Sequence, residues 1–89
     1  MPAKGGGSSK GVGETPEELC ALIGANFRQA RVKAKLTQAG VAVRTGFQQP
    51  YISAIESGQQ NLTVSTMVVL ARAVGTDVRT LLKRPSGRR

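Results

Sequence analysis

The sequence predicts an all-α fold, a compact bundle of about five short helices, on three observations. Apolar residues recur three and four positions apart through most of the chain, the spacing that holds side chains on one helix face. No stretch alternates apolar and polar residues for long enough to argue a strand. Helix start and stop signals punctuate the runs, with Thr15, Thr37 and Thr63 ahead of apolar segments and Gly46, Gly58 and Gly75 behind them. Eighty-nine residues with 39% hydrophobic content suit one small domain. Its only aromatic residues are Phe27, Phe47 and Tyr51, so the core is expected to be aliphatic.

Residues 1–14 are rich in Gly, Ser and Lys and have almost nothing to bury, which predicts a flexible arm. The domain is expected over residues 15–83. "TPEE" opens its first helix: Thr15 as N-cap, Pro16 at the first helical position, Glu18 completing a capping box. Leu19, Leu22, Ile23, Phe27, Ala30 and Ala34 then keep one face, while Gly24 is expected to weaken the middle and let the first turns fray. Lys33 and Lys35 suit the negative end of the dipole.

Thr37 is a plausible N-cap for a second helix that holds Val41 and Ala42 and stops at Gly46. The third runs from about Gln48 to Ser57. With Gln48 as N-cap, Pro50 falls in the first turn, where a missing N–H forfeits no intrahelical bond. Thr63 or Leu62 opens the fourth, with Val64, Met67, Leu70, Ala71 and Val74 as its buried face and Gly75 as its end. A short fifth helix from Asp77, capped by Thr76, presents Val78, Leu81 and Leu82. Residues 84–89 form a basic tail.

Charge and composition narrow the function. Thirteen Lys and Arg against five Asp and Glu give a net charge of +8, which favours nucleic acid over other partners. Lys83, Arg84, Arg88 and Arg89 crowd the last seven residues, so part of that charge belongs to the tail. With no histidine, imidazole acid–base chemistry and His-ligated metals are excluded. The lone Cys20 is better read as a small buried hydrophobe than as a nucleophile, and no disulfide can form within the chain. The glycines of "KGGGSSKGVG" lack phosphate-loop spacing. We therefore expect no enzyme, no metal, no cofactor and no small-molecule ligand. No segment is long and apolar enough for a membrane span, and no signal peptide is evident, so a cytoplasmic location is expected.

Two short helices joined at "RTGF", the second opening on polar residues, form a helix-turn-helix pattern over about residues 37–57. From Ile23 to Leu82 the chain resembles the phage-repressor (Cro/cI-like, or XRE) family of helix-turn-helix regulators. The matching pieces are Arg31, "LTQ" at 36–38, Gly46, "QPYISAIESG" at 49–58, Asn61, "LA" at 70–71 and "VGTDVRTLL" at the close. The resemblance implies a structural ion pair between Arg31 and Glu56. It also places the third helix in the major groove.

Residue chemistry agrees with that placement. At 100° per residue, Ile52 and Ile55 turn to the core and leave Pro50, Ser53, Ala54 and Ser57 outside. Base-reading residues are expected to be Gln49 and its neighbour Gln48, with Ser53 and Ala54. A glutamine amide matches the N6 and N7 edge of adenine, and an alanine can meet a thymine methyl. Phosphate contacts are expected from Thr37, Gln38, Arg44 and Tyr51, and the resemblance implies further ones from Ser57, Gln60 and Asn61, which match the family's loop after the third helix. Thr37 serves capping equally well, Tyr51 half-buried packing, and Arg44 the end of the second helix.

The partner implied is an operator in double-stranded DNA, bound by a homodimer on a pseudo-palindrome. Val68, Val69, Val78 and Leu82 exceed the needs of one small core and are candidates for the dimer contact. The function expected is transcriptional regulation, as a repressor. The alternative is an antitoxin-like module whose main partner is another protein.

Overall fold

The computed structural model describes residues 15–84. The expected arm, residues 1–14, and residues 85–89 of the expected tail lie outside them. Five helices follow in order: α1 Pro16–Lys33, α2 Gln38–Thr45, α3 Gln49–Glu56, α4 Val64–Ala73 and α5 Val78–Leu81. No strand occurs among the described residues.

Local chemistry sets the boundaries. Thr15 accepts from the Glu18 N–H while the Glu18 carboxylate accepts from the Thr15 N–H, both at 3.0 Å, which closes the capping box that starts α1. Thr37 caps α2 by accepting from the Gly40 N–H at 2.9 Å, and Thr63 caps α4 through the Thr66 N–H. Gly46 ends α2 in the left-handed conformation, with φ of 80°.

The expectation for α5 shifts by one residue. Asp77, not Thr76, is its N-cap, and one carboxylate oxygen accepts from the N–H groups of both Arg79 and Thr80. Both residue types cap well, but only Asp77 stands directly before the first helical residue.

The core is aliphatic around one phenylalanine. Phe27, Val41, Ile52, Leu70 and Leu81 are fully buried, and Ile23, Ile55, Met67, Ala71 and Val74 complete the cluster. Helix α1 packs against α3 and α5, α2 against α3 and α4, and α4 against α5. The hydrophobic burial that fixes α3 therefore comes from α1 and α2.

Several expected positions differ. Helix α1 is continuous across Gly24, which is itself buried. A Cβ there would stand 2.2 Å from the Ile55 carbonyl oxygen, so the missing side chain is what lets α1 approach the end of α3. Val64 is 68% exposed, because the first turn of α4 projects beyond the core. Ala34 is an exposed C-cap rather than a member of the buried face. Cys20 is half-buried rather than buried, and its thiol lies 3.6 Å from Asn61 Oδ1.

The end of α1 carries an unusual residue. The Lys35 N–H bonds to the Val32 carbonyl and the Leu36 N–H to the Arg31 carbonyl, a Schellman closure. Its left-handed position is filled by Lys35, with φ of 62°, where glycine is usual.

Candidate nucleic-acid interface

Helix α3 is anchored by its apolar side and offers its polar start. Ile52 and Ile55 are buried, whereas Gln48, Gln49, Pro50 and Ser53 are exposed. Gln48 is the N-cap but makes no side-chain cap bond, which leaves its amide free. Its carbonyl accepts from the Tyr51 and Ile52 N–H groups, so the first turn closes without an N–H on Pro50. Ala54 is half-buried, less open than its expected base-facing role requires.

The far end of α3 is held by charge. Arg31 donates from Nε to Glu56 Oε2 at 2.6 Å and from Nη2 to Oε1 at 3.1 Å, a two-bond fork. Its Nη1 donates to the Leu36 carbonyl at 2.8 Å, in the turn that enters α2. Both side chains are nearly out of solvent, at 11% and 5% exposure. One guanidinium thus joins α1, the α1–α2 turn and the last residue of α3.

Gln38 belongs to the same cluster. Its Nε2 donates to Glu56 Oε1 at 3.1 Å, linking the first residue of α2 to the last of α3. One of its two amide hydrogens is therefore committed inside the protein, and the other remains for a ligand. Sequence reasoning placed this residue on a phosphate and gave no sign of the inward bond.

The other expected phosphate contacts are distributed differently. The Thr37 oxygen accepts the α2 cap bond, yet its hydroxyl hydrogen is still available. Arg44 donates to the Ala73 carbonyl at 3.0 Å, so it serves the C-terminal end of α4 rather than that of its own helix. The Ser57 hydroxyl donates to the Ala54 carbonyl at 3.0 Å, which spends its only donor inside α3. Tyr51 packs edge-on against Phe47, ring centroids 5.3 Å apart, and its hydroxyl has no hydrogen bond among the described residues. Gln60 is half-buried and Asn61 exposed. The Asn61 carbonyl oxygen faces the Cys20 thiol, which leaves its amide nitrogen able to donate outward.

Asn26 escaped the sequence reading altogether. Its side-chain amide donates to the carbonyls of Leu81 at 2.8 Å and Lys83 at 2.7 Å, fastening the end of α5 onto α1. An asparagine in mid-helix gives no sign of such a distant partner.

The geometry is that of two helices, α2 and α3, joined by a three-residue turn and locked to each other through Glu56. A family model described as a helix-turn-helix domain matches residues 22–83. The chain belongs to the helix-turn-helix family. This helix-turn-helix chain is 46% identical over 54 residues to the uncharacterized HTH-type transcriptional regulator y4dJ of Sinorhizobium fredii, a match covering 61% of this chain and 70% of that protein. It is 35% identical over 63 residues to the control protein C.SmaI of Serratia marcescens, covering 71% and 75%. Among solved structures it is similar to the restriction-modification controller protein C.AhdI from Aeromonas hydrophila. That likeness has a TM-score of 0.66 at 27% identity and covers 70% of this chain and 94% of the other. The similarity to repressor-type regulators read from "LTQ" and "QPYISAIESG" agrees with these matches.

Proposed function

We propose that this chain is a sequence-specific DNA-binding transcriptional regulator that occupies an operator as a homodimer, with α3 in the major groove. The observation that carries the reading is the state of α3. Its core side is buried, its C-terminal residue is fixed by Arg31 and Gln38, and its start presents two unengaged glutamines. A reading head must be rigid at its base and unsatisfied at its tip, because base edges are recognised by groups with spare hydrogen-bonding capacity. Relatives named as a transcriptional regulator and a control protein support the same conclusion.

In this reading Gln49 is the main base reader, Gln48 and Ser53 flank it, and Ala54 gives at most an apolar contact. Thr37, Gln38 and Asn61 supply neutral phosphate donors, with Tyr51 and Gln60 beside them. Ser57 contributes least, since its one hydroxyl donor is spent on the Ala54 carbonyl, whereas Arg44, with one N–H on the Ala73 carbonyl, keeps its charge and further N–H groups for a phosphate. Regulation occurs by occupancy, without catalysis and in the cytoplasm. No helix among the described residues is long and apolar enough to cross a membrane.

A dimer suits the surface. Val68, Val69 and Leu82 are each between 37% and 39% exposed although they stand next to buried core positions. A two-fold contact would cover them, and a dimer of this kind reads two half-sites roughly 34–36 Å apart. The test is binding of the full chain to DNA flanking its own gene. A defined protected site and an affinity that falls steeply with salt are expected. Equal, weak binding to every fragment would contradict specific regulation.

A further inference from the structure

We infer that Arg28 is a phosphate-binding residue of the DNA interface, set beside Gln38 by the Glu56 carboxylate that both side chains approach. The inference rests on the DNA-binding reading above and adds to it a residue that sequence reasoning left out.

Arg28 and Arg31 stand three residues apart on α1, so their side chains leave the same side of the helix. Their fates diverge. Arg31 uses Nε, Nη1 and Nη2 on Glu56 and Leu36 and is almost fully enclosed. Arg28 makes no hydrogen bond among the described residues. Its side chain is 67% exposed, and its Nε stops 4.0 Å from Glu56 Oε1. That oxygen already accepts from Arg31 and Gln38.

The cluster holds two arginines and one carboxylate, and the bidentate Arg31 satisfies the carboxylate. A full positive charge is left at the rim, on a flat guanidinium with its donor fork unused. A weak exposed pair at that distance adds little to stability, so folding does not explain why an arginine stands there. Fork geometry suits a phosphate better than any neutral partner does.

Gln38 Nε2 lies 3.1 Å and Arg28 Nε 4.0 Å from the same oxygen, so the two nitrogens are no farther apart than those distances combined. A strand lying over Gln38 at the start of α2 therefore passes within reach of Arg28. Gln38 contributes its second amide hydrogen and Arg28 the charge. Of the other phosphate donors only Arg44 carries a charge, and Arg28 supplies a second one, beside Gln38.

The experiment compares the full chain with Arg28→Ala and Arg28→Lys on operator and random DNA across a salt series. A urea midpoint for each variant tracks folding, which should be unchanged for so exposed a side chain. Arg28→Ala should bind both DNAs roughly tenfold more weakly. It should also lower the slope of log affinity against log salt by about 0.9, the value of one phosphate. Lysine should restore the slope and only part of the affinity. An operator with single neutral methylphosphonates should contain one position that weakens the unaltered chain but not Arg28→Ala.

If the unaltered chain binds with a steep salt dependence and Arg28→Ala matches it, the Arg28 contact is wrong and the DNA reading stands. A loss confined to the operator would make Arg28 a base reader or a positioning residue and overturn the phosphate assignment. Absence of salt-dependent binding by the unaltered chain would defeat the DNA reading itself.

Discussion

Gln38 Nε2 donates to Glu56 Oε1 at 3.1 Å, so the first residue of α2 is tied directly to the last residue of α3. With Arg31 on the same carboxylate, the angle between the two helices is fixed at the end remote from their connecting turn. A helix that must enter a groove in one orientation needs such a restraint, since the turn alone constrains only one end.

Removing the carboxylate should therefore be costly. Glu56→Ala leaves Arg31 buried without its counter-charge, and a loss of about 3–5 kcal/mol is expected in urea unfolding. Gln38→Ala removes a single bond to a charged group and should cost less, about 1.5–3 kcal/mol. Equal, negligible losses for both would show that the cluster does not hold the helices.

Gly24→Ala tests the close approach of α1 to α3. The added methyl meets the backbone oxygen of Ile55, which cannot swing away as a side chain would. A loss of about 1–3 kcal/mol is expected although alanine is the better helix former. A stabilised variant would mean that the helices are not packed this closely.

Lys35→Gly should go the other way. A side chain at φ of 62° is strained, and glycine removes that strain at the end of α1. A gain of about 0.5–1 kcal/mol in thermal or urea unfolding is expected after the added freedom of the unfolded chain is subtracted. Any loss of stability would argue that the lysine side chain makes a contact worth more than the strain.

Much of this architecture was legible in the sequence because it depends on neighbours. Thr15 and Glu18 meet across three residues, Thr37 and Gly40 likewise, and Pro50 is tolerated by its place in a first turn. The features that escaped join distant segments. Gly24 looks like a weak point until the end of α3 is laid against it. Arg44 finds a carbonyl 29 residues away, and Asn26 reaches carbonyls 55 and 57 residues away. In the candidate interface, the exposed polar start of α3 followed from helical period. The inward bonds of Gln38 and Ser57, and the weak pairing of Arg28 with a carboxylate already held by Arg31, required the packed arrangement.

The proposed dimer contact is checked by charge. Val69→Glu and Leu82→Glu place carboxylates on surfaces that are partly exposed in one chain and that the proposed dimer would cover. Sedimentation should show a shift to monomer with the helix content unchanged, and operator affinity should fall with it. A dimer that persists in both variants would move the contact elsewhere.

In the proposed complex, Gln49 reads a base from the start of α3. The most direct measurement is the affinity of Gln49→Ala for the protected site, for the same site changed one base pair at a time, and for random DNA. A loss of about 1–3 kcal/mol on the protected site, indifference to changes at one base pair, and little change on random DNA are expected. The same loss on every DNA, with discrimination intact at every position, would contradict base reading by Gln49.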